Sequence, residues 1–139
     1  AYGDLPFLTV LAVACAEYGV CGIEVKVHSE IPMQKGFASS AAISTALATS
    51  LLNGLDDDKG IVETARIGEI VMHKNEGAGR IDVNTSYFGG YVQYSQKDGA
   101  RKLDIDSNLE LLAIDTGAWR TNVHGPFIFG FARGIVRRP

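Results

Sequence analysis

The sequence predicts an α+β domain, with helices packed against a mostly antiparallel sheet. Three observations carry this. The apolar spacing switches between a period of two and a period near four along the chain. The segments fall in the order helix, strand, helix, helix, short helix, then strands. At 139 residues the chain has room for one sizeable core. No internal repeat, low-complexity tract or linker interrupts it before the tail.

Residues 5–18, "LPFLTVLAVACAEY", are apolar on nearly every side. They predict a buried helix ended by Gly19, too short to span a bilayer. "GIEVKVH" then alternates, with Ile23, Val25 and Val27 on one face and Glu24, Lys26 and His28 on the other. That predicts a strand with one wet face, stopped by Pro32. From Ser39 the spacing turns helical: Ile43, Leu47 and Leu51 are four apart, alanines supply propensity, and Gly54 sits where a C-terminal glycine belongs. After "DDDKG" a second helix is expected over about residues 61–73, broken by "NEGAGR". A short helix starts near Asp82, and Gly89-Gly90 leads to the strand "YVQYS". A Lys97-Asp98-Gly99 turn, a short strand around Lys102-Leu103 and the apolar strand "LELLAID" complete the order.

Composition narrows the function. The chain is 46% hydrophobic and 21% charged, with a net charge of −3, and its charges are interspersed apart from Asp56-Asp57-Asp58 and a basic end. Nucleic-acid or membrane binding would call for a basic face, so neither partner is expected. Any phosphate site must be local. Cys15 and Cys21 match no metal-ligand spacing and read as free thiols in a reducing cytoplasm.

The chemistry concentrates in "IPMQKGFASSAA", residues 31–42. The familiar nucleotide signatures are missing, and "GAGRID" is not G-x-G-x-x-G. What stands here is a glycine-containing loop running into a helix start. The first turn of a helix presents unpaired N–H groups and the positive end of the dipole, which favours an anion. Gly36 lets the backbone approach a ligand, and Ala38, Ala41 and Ala42 keep side chains out of the way. Ser39 and Ser40 can cap the helix, coordinate a metal or touch a phosphate; a plain serine-capped helix is the bland alternative. On the next helix, Glu69 shares a stripe with Ile61, Val62, Ala65 and Met72, and a carboxylate there is costly unless paired or bound to a metal. Asp82 reads either as the N-cap of the short helix over 83–88 or as a functional acid.

Residues 31–42 resemble the phosphate-binding motif of the GHMP kinases, the superfamily of galactokinase, homoserine kinase, mevalonate kinase and phosphomevalonate kinase. Pro32, Gly36, Ser39, Ser40 and Ala41 fit that motif. Phe37 replaces its usual Leu or Met, and Ala38 its usual Gly or Ser. "AGRIDVNTSYFGG" is similar to a second family motif, S-G-I-D-x-x-x-S-x-x-G-G, through Gly79, Asp82, Ser86, Gly89 and Gly90. Arg80 is inserted between Gly79 and Ile81. Val83 stands where many sugar kinases of the group carry Gln, which points to the mevalonate kinase branch. "LELLAIDTG" resembles a later family strand near the acceptor.

The resemblance covers residues 1–122 as a partial N-terminal, ATP-binding domain with a ribosomal-protein-like two-layer fold; residues 123–139 stay an unassigned tail. It implies ATP and Mg²⁺ as cofactors and a small-molecule substrate, and is compatible with a homodimer. It places phosphates on Lys35, Gly36, Ala38, Ser39, Ser40 and Ala41. Mg²⁺ falls to Ser40 (or Ser39) with Glu69, and Glu76 is the alternative acid. Asp82 becomes the catalytic carboxylate beside the acceptor hydroxyl, with Thr116 lining the acceptor site. The implied activity is phosphorylation of a mevalonate-type hydroxyl in the cytoplasm. A galactokinase-like sugar kinase and a non-catalytic, truncated nucleotide-binding module are the alternatives. The chain reads as a piece of a longer protein, expected to be a poor catalyst alone. His28, His73 and His124, with no partners at metal spacing, read as satisfied or exposed. Lys35 can equally be just solvated, and Trp119 with the tyrosines of "YVQYS" reads as packing.

Overall fold

In the computed structural model the described residues are 5–33, 35–55, 57–105 and 112. Four helices, α1 (Leu5–Tyr18), α2 (Ser39–Leu52), α3 (Asp58–His73) and α4 (Asp82–Phe88), precede two strands, β1 (Tyr91–Ser95) and β2 (Gly99–Leu103). The strands form an antiparallel hairpin in which Tyr91 faces Leu103 and Ser95 faces Gly99. Helices followed by an antiparallel pair make this the expected α+β class.

Helix α2 is the hub, packing on α1, α3 and α4. Its alanines explain how: Ala41 and Ala48 are fully buried and let neighbouring backbones come close, while Leu47 and Leu52 fill the remaining space. Val10 and Ala14 of α1, Ile61 and Ala65 of α3 and Val83 of α4 complete one core. Helix α3 begins where Asp57 accepts the Gly60 N–H at 2.9 Å, an aspartate N-cap. It ends at Lys74 in the left-handed conformation, whose N–H returns to Ile70 O. The hairpin turns on a Ser95–Asp98 exchange, with Gly99 at φ +76. The hairpin turn runs as the sequence predicts, while α3 starts at Asp58, ahead of the expected 61.

Two expectations need correction. Helix α1 is not buried all round: Leu8 is 60% exposed, and only the stripe through Phe7, Val10, Leu11, Ala14 and Tyr18 meets the core. Its neighbours α2 and α3 cover one side, and composition does not say how many sides will be covered. Residues 23–28 form no strand. Ile23 and Val27 stay 45% and 47% exposed, and only Val25 of the three touches the core. Alternation marks which face a strand would bury, but a strand exists only where a neighbour completes its hydrogen-bond ladder. No described segment does so. The expected strand at 109–115, Thr116, Trp119, His124 and the tail over 123–139 lie outside the described residues, apart from Leu112.

Candidate functional site

The loop before α2 is shaped by two left-handed residues, Gly36 at φ +83 and Ala38 at φ 54. For glycine that conformation is free, whereas for alanine it costs about 1 kcal/mol or more. Ala38 occupies the N-cap position of α2, and no side chain among the described residues caps this helix end. The serine-cap alternative is thereby removed. Ser39 is buried, and Ser40 turns its hydroxyl away from the backbone and towards α3. The first-turn N–H groups of Ser39, Ser40 and Ala41 are left facing the loop, with Lys35 half-buried nearby in sequence.

Ser40 Oγ donates to Glu69 Oε2 at 3.0 Å. Glu69 is 2% exposed, as its place among Ile61, Ala65 and Met72 requires, and its other oxygen, Oε1, is buried with no hydrogen-bond partner among the described residues. Burial pushes this carboxyl above the ordinary range; Ser40 and His73 pull it back, and the negative charge of Asp82 raises it further. A lone buried oxygen in a carboxylate is expensive, so this corner of the core is maintained at a cost to stability. Glu76, the alternative acid, is exposed, and its carbonyl accepts from Arg66 Nη1 at 3.1 Å.

The turn 77–81 closes over this pair. Gly79, at φ +73, sits so tightly that a Cβ there would come within 2.9 Å of Glu69 Cβ and 3.2 Å of Val83 Cγ2. Asp82 follows as the first helical residue of α4, exposed, with Ile81 in the N-cap position and no side-chain cap. Asp82 is therefore not a cap, and its carboxylate accepts no hydrogen bond among the described residues. Because α4 packs on α2 and α3, that carboxylate is held near enough for its charge to act on Glu69. Tyr87 Oη donates to Asp58 Oδ1 at 2.5 Å and pins α4 to the start of α3.

The structure thus brings Ser40, Glu69 and the Gly79–Asp82 turn together. No group of three or more His, Cys, Asp or Glu is arranged for a metal among the described residues. A hydroxyl and a carboxylate still form a hard oxygen pair of the kind Mg²⁺ uses when phosphate and water complete its shell. Two residues of this site escaped sequence reading. Gly79 was visible only as a motif glycine. His73 was set aside for want of partners at metal spacing, yet its Nε2 lies 3.4 Å from Glu69 Oε2. The four-residue helical spacing between them was the available signal.

A helix start preceded by a glycine-shaped loop, a part-buried hydroxyl–carboxylate pair and an exposed aspartate on the adjoining turn thus lie together in one α+β domain. The profile of the GHMP kinases N terminal domain matches residues 7–90, and the chain belongs to that family. A mevalonate kinase of Pyrococcus horikoshii is 40% identical over 78 residues, covering 54% of this chain and 23% of that protein. A mevalonate kinase of Pyrococcus abyssi is 34% identical over 76 residues, with the same two shares. The aligned stretch therefore spans under a quarter of either relative. No solved structure matches the chain. No helix among the described residues is long and apolar enough to cross a membrane.

Proposed function

We propose that this domain serves an ATP- and Mg²⁺-dependent kinase that phosphorylates a hydroxyl of a small metabolite, mevalonate-type first and a sugar second. The observation that carries the reading is the Ser40–Glu69 contact at 3.0 Å, which joins the loop–helix start to a buried acid with one unpartnered oxygen. Family membership and similarity to two mevalonate kinases support the same class.

In this reading the N–H groups of Gly36, Ala38, Ser39, Ser40 and Ala41, with Lys35, hold the nucleotide phosphates. Ser40 and Glu69 hold Mg²⁺. The donor set fits a hard cation, because both groups offer oxygen and Glu69 Oε1 has no competing hydrogen bond among the described residues. When bound, the cation neutralises charge on the phosphate oxygens. Asp82, exposed and with a carboxylate that accepts no hydrogen bond among the described residues, orients the acceptor hydroxyl and takes its proton. Thr116 lines the acceptor side. The unit is taken to run over residues 1–122 and to work in the cytoplasm.

A melting experiment tests this. Mg²⁺-ATP is expected to raise the melting temperature of the 139-residue chain, and Ser40→Ala to abolish that rise. If no nucleotide stabilises the chain, it is a non-catalytic module. An assay of the parent protein with mevalonate, phosphomevalonate, galactose and homoserine assigns the acceptor.

A further inference from the structure

Glu69 is held unevenly. Among the described residues, two polar groups reach the same oxygen: Ser40 Oγ at 3.0 Å and His73 Nε2 at 3.4 Å, each to Oε2. Oε1 has neither and is buried. The methylene part of the side chain is confined as well, since Gly79 leaves no room for even a Cβ beside Glu69 Cβ and Cγ. A carboxylate fixed through its stem and one oxygen presents the other oxygen in a defined direction.

The two clamps are not equivalent. Ser40 sits at the junction of the loop and α2, and its hydroxyl turns about a single bond. His73 belongs to α3, four residues from Glu69, so the helix itself sets their separation. When the Ser40 oxygen engages a ligand, His73 remains to hold Oε2.

We propose that His73 is a positioning residue for Glu69: it fixes Oε2 and so sets the orientation of the carboxylate that would meet the cation. The proposal rests on the Mg²⁺ reading above. It extends to this site the general behaviour of groups that orient metal ligands, whose removal weakens metal binding without touching the metal. His73 donates no bond to nucleotide, cation or acceptor, and its effect passes through Glu69 alone.

The test is a Mg²⁺ titration at fixed ATP, read as the rise in melting temperature of the 139-residue chain. His73→Leu removes the donor from a side chain that is already 34% exposed, so the fold is expected to survive. Its Mg²⁺ midpoint should rise about 10-fold. Binding of ATP without Mg²⁺, which uses the α2 N-terminus, should not change. His73→Gln keeps an N–H donor at similar reach and should return the midpoint to within about threefold of the unmodified chain. His28→Ala, an exposed histidine in the 23–28 segment, should have no effect. If His73→Leu does not fold, His73→Asn, polar but too short to reach Oε2, replaces it in the comparison.

An unmodified chain that responds to Mg²⁺ alongside a His73→Leu midpoint that stays put overturns the positioning role and leaves the site reading intact. Equal loss of ATP binding with and without Mg²⁺ in His73→Leu also overturns it, because that marks general damage. An unmodified chain with no Mg²⁺ response overturns the cation reading, and the role of His73 with it.

Discussion

The α2–α3 interface and the 23–37 segment use similar residues to opposite ends. In the interface, Ala41, Leu47, Leu52, Ile61 and Ala65 are buried, and even a carboxylate, Glu69, is drawn into the core. In the segment, Ile23, Val27, Ile31, Met33 and Phe37 all stay exposed. The difference shows where precision is needed. Ser40 and Glu69 project from two packed helices, so their separation is set by the core rather than by the loop that precedes them. The loop before them takes its shape from Gly36 and Ala38, whose left-handed backbone needs no packing.

Substitutions can break that contrast or sharpen it. The largest effect is expected from Leu52→Ala, which empties a fully buried position of α2; a loss of about 3 kcal/mol in denaturant unfolding is expected. Gly79→Ala comes next. It forces a Cβ to within 2.9 Å of Glu69 Cβ at a φ of +73, which should cost about 2 kcal/mol. Unlike Leu52→Ala it should also weaken Mg²⁺-dependent nucleotide binding, because it displaces Glu69.

Glu69→Gln is expected to act in the opposite sense on stability. Burial raises the folded-state carboxyl above its ordinary value of 4.5. The folded state therefore holds this proton more tightly than the unfolded chain. Stability from that source is present below the unfolded value and lost as pH climbs through the raised folded one. The substitution should flatten this slope and stabilise the chain at neutral pH, on the order of 1 kcal/mol, while removing the Mg²⁺ response. Chemical unfolding across pH 4 to 8 measures both halves; a Gln variant less stable at neutral pH contradicts the burial argument.

Ala38→Gly relieves a left-handed alanine at φ 54 and should raise stability by up to about 1 kcal/mol. The smallest effect belongs to Val27→Ala. At 47% exposure it should stay within about 0.5 kcal/mol, and a loss near that of Leu52→Ala would show that the segment is covered after all.

Much of the fold was legible because local rules held. The limits of α1, the start of α2, the α4 start at Asp82 and the hairpin followed from periodicity and from the placement of glycine. The segment at 23–28 was misread because alternation is a property of one strand and pairing a property of two. In the site, Ser40, Glu69 and Asp82 were legible as residue types at telling positions. Their relations were not: that Ser40 caps nothing, that Glu69 rather than Glu76 meets it, and that Asp82 lies one residue inside its helix.

The sequence by itself determined the helices, the turn glycines and the presence of a polar residue on an apolar stripe, all set by interactions within a few residues. Only the tertiary structure decided which oxygen of Glu69 is held, by Ser40 from another helix and by His73 from its own, and that Gly79 closes over it. Those choices depend on how α2, α3 and the 77–81 turn approach in space. Packing settles that approach, because no local rule specifies the distance between residues 40 and 69.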